Sequence, residues 1–386
     1  MLQAARISAA MAVLDRALTG TPLDAALTAW GRANRFAGSG DRAAIRDLVF
    51  DAWRCKRSFA ALGGGDTGRG LMLGWVRAGH HDPDAVFTGT AHAPKPVTAQ
   101  DAPRAASQNE ALDCPDWLAP PLQKSLGANF APVMLAMQHR APVFLRVNLA
   151  RVTRPEAMAL LAKEGVATVP HGLADAALQL VTPSRRILTT KAYLDGSVEL
   201  QDAASQAIAE AIPLTDGQRV LDYCAGGGGK TLALAARAKS AIWAYDVDAA
   251  RMRDLPDRAA RAGAQIGVLN TPARHAPYDV VLADAPCSGS GSWRRDPQGK
   301  WALTEARLAE LMAVQADILD KSAPLVAAGG LLAYATCSLL AGENQDQIAS
   351  FLARSPGWRQ ILERHLTPLD GGDGFFLSLL TRKSEQ

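Results

Sequence analysis

Between Arg219 and Ala238 a short apolar run, Val220-Leu221-Asp222, passes through four consecutive glycines, Gly226 to Gly229, into a helix-period segment. A strand, a glycine-rich turn and a helix in that order open a parallel α/β unit. The helix folds back over the sheet and returns the chain for the next strand. The pattern then repeats. Ala241 to Tyr245 reads as a second strand ending in Asp246, and a third lies near Gln265 to Leu269. A fourth is Tyr278 to Ala283, a fifth Gly330 to Ala335 and a late one Phe375 to Leu380, with a long helix over about Glu305 to Ala327. The expected fold class is α/β: a doubly wound, mostly parallel, Rossmann-like sheet with helices on both faces. Ligands of such sheets sit beyond the carboxyl ends of the strands.

The chain ahead of this region reads differently. Over residues 1–75, Leu2, Ile7, Met11 and Leu14 can share one helical face, and Ala44, Leu48, Val49 and Trp53 another. Asp41, after the Gly38-Ser39-Gly40 break, has the position of an N-cap. Residues 80–121 are rich in Pro, Asp, His and Gln and read as a linker with at most one short helix. From Val143 to Asn148 a strand is expected, then a helix from Pro155 to Glu164 with proline in its first turn. Strands at Val166 to Val169, Leu178 to Val181 and Leu194 to Leu200 complete a small βαβ-type unit. Three domains follow: a helical one with its linker over 1–135, a small α/β subdomain over 140–198 and the large sheet over 199–386. For 386 residues that division is ordinary.

Composition removes several function classes. Hydrophobic residues at 48% against 20% charged exclude a disordered chain. Five scattered cysteines without CxxC spacing exclude a disulfide framework and argue against zinc, so a reducing compartment and no metal are expected. Arg6, Asp15 and Arg16 interrupt the only apolar stretch near the start, and no uncharged run approaches a membrane span. A cytoplasmic monomer without membrane contact is the expectation. The charge is uneven. Residues 1–200 hold 22 basic and 17 acidic side chains, the remainder 19 and 21, so the first half is the one suited to a polyanion.

The glycine turn, Cys224-Ala225-Gly226-Gly227-Gly228-Gly229-Lys230-Thr231, admits three readings. A phosphate-binding GxxxxGK[ST] loop fits at Gly229-Lys230-Thr231, but its first glycine falls on Cys224. A dinucleotide GxGxxG begun at Gly226 ends on Thr231 instead of glycine. A turn for S-adenosylmethionine needs a glycine-rich bend and an acidic residue ending the next strand. Asp246 supplies that carboxylate for the ribose hydroxyls.

Two further clusters end strands of the same sheet. Asp284-Ala285-Pro286-Cys287-Ser288 follows the fourth strand and Thr336-Cys337-Ser338 the fifth, with Glu343 and Asn344 opening the next helix. A lone strand-end cysteine is most often a small buried hydrophobe. Two at one sheet edge, beside a carboxylate and a cofactor turn, suit methyl transfer to carbon 5 of a pyrimidine. That carbon is a weak nucleophile until a thiolate adds to carbon 6, a carboxylic acid stabilises the charge developing on the ring, and a base later removes the carbon 5 proton. Lys230 is the candidate positive neighbour that lowers the thiol pKa.

The strings DYCAGGGGKT, DAPCSGSG, YATCSLLAGEN and DGFFLSLL resemble the Sun/Fmu family of RNA cytosine-C5 methyltransferases, strongly over about residues 140–386. Residues 1–75 resemble more loosely that family's NusB-like helical extension. Leu145-Arg146-Val147-Asn148 fits its RRM-like subdomain, and Gln201-Asp202-Ala203-Ala204-Ser205 the lead into the catalytic domain. The resemblance implies S-adenosylmethionine as donor and small-subunit (16S) ribosomal RNA as partner. It implies Cys337 as nucleophile, Cys287 as the helper that releases product and Asp284 on the base. The cofactor set is then Cys224, Ala225, Gly226, Gly227, Gly228, Gly229, Lys230, Asp246, Asn270 and Asp284. Gly226 and Gly227 replace the family's usual Ala-Pro, and Asn270 stands where an Asp is usual. Candidate phosphate contacts are Arg32, Arg35, Arg42 and Arg46; Arg54, Lys56 and Arg57; Arg185, Arg186 and Lys191; and Arg294 and Arg295. Trp293 and Trp301 are candidates for stacking on bases, and Phe375 and Phe376 for shaping the base pocket. A tRNA substrate, a DNA methyltransferase using Cys287 as nucleophile, and a non-catalytic RNA-binding assembly factor remain as rivals.

Overall fold

The computed structural model describes residues 1–182 and 184–382. Two compact units emerge: Met1–Arg140 together with Trp293–Ala302, and Ala141–Ser292 together with the chain from Leu303 on.

The first unit is helical. Helices Gln3–Leu18, Leu23–Ala33, Ser39–Arg54, Lys56–Gly63 and Gly68–Ala78 carry apolar residues at helical spacing. Ile7, Leu14, Ile45, Val49, Leu71 and Val76 meet in one buried core. Leu2, expected on that face, is exposed because the first helix begins only at Gln3. Asp41 is not the cap. Gly38 holds that position, while Asp41 sits in the first turn and pairs with Arg6 and the N-terminal amine. The region 80–121 contains more than one short helix, at Pro83–Val86 and Gln108–Ala111, each begun by a side-chain cap.

Trp293–Ala302 belongs with these helices although it lies between two strands of the large sheet in sequence. Lys300 Nζ donates to the Arg54 carbonyl at 3.0 Å, Arg54 Nε to the Arg294 carbonyl at 2.8 Å and Trp301 Nε1 to the Trp53 carbonyl at 2.8 Å.

The second unit holds two sheets. Strands β1 (Phe144–Val147), β2 (Thr168–Pro170), β3 (Ala177–Leu180) and β4 (Val198–Leu200) form a sheet of order β2-β3-β1-β4, antiparallel throughout. A parallel βαβ unit was expected here. The helix Arg154–Lys163 instead returns the chain to an edge, where β2 pairs with β3 and not with β1. Leu145, Val147, Leu161, Leu178 and Val198 form the core beneath that helix.

The large sheet comprises β5 (Arg219–Asp222), β6 (Ala241–Ala244), β7 (Ile266–Val268), β8 (Tyr278–Asp284), β9 (Val326–Thr336), β10 (Trp358–Leu366) and β11 (Phe375–Arg382), ordered β10-β11-β9-β8-β5-β6-β7. Pairs from β7 through β9 are parallel, and β11 is antiparallel to both its neighbours. The doubly wound reading therefore holds. The long helix ends at Ser322, four residues before β9 begins at Val326, so that strand starts earlier than its expected Gly330. The order reverses between β5 and β8, and this switch point opens a crevice at their carboxyl ends. The glycine turn follows β5, and Asp284 ends β8.

Candidate active site

At the end of β5 the buried run stops on Asp222, which is 1% exposed. Its Oδ2 accepts from Thr231 Oγ1 at 2.7 Å, whereas its buried Oδ1 has no hydrogen-bond partner. Burial raises its carboxyl to about 7, against the opposing Thr231 bond. A buried carboxylate oxygen left without a donor is costly unless a ligand supplies one. The turn beyond it needs glycine at two points. Gly226 and Gly228 have φ of +50° and +79°, and a Cβ at Gly228 would lie 2.3 Å from Leu255 Cδ1. Asp246, buried two residues past β6, accepts the Gly226 N–H at 2.9 Å and the Asp248 N–H at 3.0 Å. Arg251, half exposed, also pairs with it at 3.0 Å. The carboxylate expected on a ribose thus also fixes the turn. From the small sheet, Arg146 donates to the Gly229 carbonyl at 2.7 Å. The unpaired Asp222 oxygen and the side-chain-free turn suit a nucleoside-like cofactor with polar hydrogens.

Across the crevice, Lys230 Nζ lies 2.7 Å from Asp284 Oδ2 and 4.6 Å from the centre of the Phe375 ring. Burial pulls this ammonium down, but the Asp284 carboxylate outweighs it and the net shift is upward. The Sγ atoms of Cys287 and Cys337 are 3.4 Å apart. The hydrogen bond from Cys287 lowers Cys337 below the ordinary thiol range against the effect of burial, and Lys230 favours the same direction. Cys287 is pushed up by the hydrogen bond it shares with Cys337, by burial and by the nearby Glu343 charge. Cys224 is also raised, chiefly by burial, and stands apart as a non-ionised thiol. The site can therefore present one thiolate beside one neutral thiol.

Other expected residues fall elsewhere. Asn270 is exposed just past β7. Arg54 and Arg294, 5% and 6% exposed, are internal to the helical unit and unavailable to phosphate. Arg57 is paired with Asp116 and Lys56 with Asp66. Arg32, Arg35, Arg42, Arg46, Arg186, Lys191 and Arg295 are exposed, while the Arg185 side chain lies outside the described residues. Trp293 is buried, Trp301 spends its N–H on a carbonyl, and Phe376 is core. Asp222 was not singled out from sequence. Its signal was an acid at the last position of a buried strand, immediately before the glycines.

Known proteins match much of this chain. Residues 209–380 match the model described as 16S rRNA methyltransferase RsmB/F, and residues 114–186 the ferredoxin-like domain of RsmF/B-like methyltransferases. The ribosomal RNA small subunit methyltransferase B of Serratia proteamaculans is 32% identical over 295 residues, 72% of this chain and 68% of that protein. The chain belongs to the RsmB/F family. The Citrobacter koseri protein of the same name is 34% identical over 285 residues, 70% of this chain, and about two thirds of its length, 66%, is matched. Among solved structures, PH0851 superposes with a TM-score of 0.77 at 23% identity over 99% of both chains. NSun6 from Pyrococcus horikoshii, solved with SFG, gives 0.62 at 17% over 70% of this chain and 99% of that one. These structures show the fold. RsmB/F membership makes the chain an S-adenosylmethionine-dependent RNA methyltransferase. Among its described residues no helix is long and apolar enough to cross a membrane.

Proposed function

We propose that this RsmB/F protein methylates carbon 5 of a cytosine in small-subunit ribosomal RNA through a covalent adduct on Cys337. The observation that carries the reading is the contact of two unlike thiols, Cys287 and Cys337, beside the Lys230–Asp284 pair at the switch point.

Cys337, the thiol held low, adds to carbon 6 and places electron density on carbon 5. Asp284 accepts from the amino edge of the base, and the Lys230 ammonium, 2.7 Å from that carboxylate, stabilises the negative charge that develops on the ring. Bound S-adenosylmethionine supplies the methyl group, held by the glycine turn with Asp222 and Asp246. Once Cys337 is bonded to carbon it no longer accepts the Cys287 proton. Cys287 can then give that proton up to solvent and, as the thiolate, take the carbon 5 proton. The C–H electron pair re-forms the ring double bond, and Cys337 leaves as thiolate. The exposed arginines of the helical domain, which we place over residues 1–135 as NusB-like, and the small subdomain over 140–198 hold RNA through its phosphates. The reversed roles of a DNA-type enzyme are the rival that variants of the two cysteines separate.

The test uses ribosomal RNA, labelled donor and two variants. Cys337→Ala should lose both methyl transfer and adduct. Cys287→Ala should trap an RNA–protein adduct that survives denaturing electrophoresis and requires donor. An adduct in Cys337→Ala and none in Cys287→Ala would reverse the two roles.

A further inference from the structure

Beneath the two cysteines lies a carboxylate that the proposed chemistry does not use. Glu343 is 0% exposed. Its Oε1 accepts the Ser288 N–H at 2.7 Å and Gln315 Nε2 at 3.0 Å. Its Oε2 accepts Ser288 Oγ at 2.5 Å and Ser338 Oγ. Ser288 directly follows Cys287, and Ser338 directly follows Cys337. The residue after each cysteine is thus tied to one buried side chain. Bonds to an ionised acceptor are roughly twice as strong as neutral ones, and four donors converge here.

We propose that Glu343 is a positioning residue: it clamps the loop of Cys287 to the loop of Cys337 and so sets the spacing of the two sulfurs. The serine on either loop is one Cα step, about 3.8 Å, from its cysteine. Loss of the clamp therefore reaches the sulfurs almost undamped. The loops also share direct bonds: Gly291 N to the Cys337 carbonyl at 2.9 Å, Leu339 N to Ser290 Oγ at 2.8 Å, and hydroxyl contacts of Ser338 with Ser290 at 3.1 Å and with Ser288 at 3.4 Å. The first of these reaches Cys337 itself and the others the neighbouring serines, whereas Glu343 gathers four donors and holds both serines that follow the cysteines at once. A misplacement of about 1 Å at reacting atoms can lower a rate ~100-fold, and the sulfurs start only 3.4 Å apart. The Glu343 charge also opposes ionisation of Cys287, which keeps the two thiols unlike.

The inference rests on Cys337 as nucleophile for its catalytic meaning, but the spacing can be read without RNA or donor. Diamide takes two hydrogens from a close thiol pair and leaves a disulfide. In the full chain, the rate of Cys287–Cys337 disulfide formation, mapped by mass spectrometry, should fall at least about tenfold in Glu343→Gln. In turnover the same variant should lower kcat by about tenfold or more, keep KM for S-adenosylmethionine within about twofold and accumulate donor-dependent RNA adduct. A merely structural glutamate would not trap adduct while sparing cofactor affinity. If Glu343→Gln does not fold, Ser288→Ala and Ser338→Ala each remove one tie and should slow the disulfide. Wild-type disulfide rates in Glu343→Gln, or in both serine variants, overturn the proposal. An adduct in Cys337→Ala overturns the nucleophile assignment instead, and the diamide rates still judge Glu343.

Discussion

Cys287 and Cys337 bring their sulfur atoms to 3.4 Å although 50 residues separate them in the chain. Strand register produces the contact: Asp284 on β8 lies beside Ala335 on β9, and each cysteine follows within three residues. Two sulfurs this close resist double ionisation, because like charges in contact disfavour one another. The pair therefore divides into a donor and an acceptor, and that division is what a two-thiol mechanism needs.

The division predicts a pH profile. Cys337 has its pKa lowered by the Cys287 hydrogen bond, so its alkylation by iodoacetamide should have a midpoint below that of an ordinary thiol. Cys287→Ala removes the donor and leaves burial and Asp284, which both oppose ionisation. The midpoint should then move to higher pH, and the rate at neutral pH should fall severalfold. Peptide mass spectrometry across the titration measures this. Faster labelling of Cys287 than of Cys337 in the unmodified protein contradicts the assignment.

The Lys230–Asp284 pair should behave as a coupled unit. Lys230 is 8% and Asp284 28% exposed in their side chains. Removing one partner from a buried pair strands a charge, at a cost of about 3–5 kcal/mol. Asp284→Ala should therefore destabilise strongly, and adding Lys230→Met should recover much of the loss. Urea unfolding of the two single variants and the double variant forms the cycle. Simple additivity would mean that the two side chains do not share the interaction.

The central parallel strands β5 and β8 were legible because their runs are buried on both faces and bounded by turn residues, as Val220 to Asp222 and Tyr278 to Ala283 show. Strand β10 was not read. Trp358, Ile361, Leu362 and Leu366 are spaced as on a helix, because a register shift between Gln360 and Leu362 breaks the alternation. The cysteines, Asp284 and the glycine turn were visible as strings at strand ends. Asp222 and Glu343 were not, since one reads as a strand terminus and the other as a helix opener. Their roles depend on burial and on partners 5 to 55 residues away in sequence. Charge alone also misled. Arg54 and Arg294 sit in basic clusters yet are internal to the helical unit, where their neighbours include each other.

That distinction is testable with two arginines of one helix. Arg46 is exposed on Ser39–Arg54, and Arg54 is buried at its end. Arg46→Ala should weaken RNA binding and reduce the salt slope by about 0.7–0.9 for each phosphate that the side chain neutralises, with the melting temperature little changed. Arg54→Ala should lower the melting temperature, because the Arg294 carbonyl and Asp51 lose their partner. Filter binding at several salt concentrations and thermal melts separate the two effects. An unchanged salt slope in Arg46→Ala removes that residue from the RNA surface.

Asp222 gives the last expectation. Its carboxyl is raised to about 7 by burial, whereas an unfolded aspartate titrates near 3.9. The folded state therefore holds this proton more tightly. The stability linked to it is fully present below about pH 4, declines as pH rises and is gone above about pH 7. Asp222→Asn cannot ionise and avoids that loss. Its melting temperature should match the parent near pH 4 to 5, provided both remain folded there, and exceed it at pH 8. The same change should weaken S-adenosylmethionine binding by about tenfold, since the acceptor left without a protein partner loses its charge. Calorimetry with the cofactor alone reads the second effect, and melts across pH read the first. A variant less stable at pH 8 with unaltered cofactor affinity would show that Asp222 serves the fold through Thr231 and not the ligand.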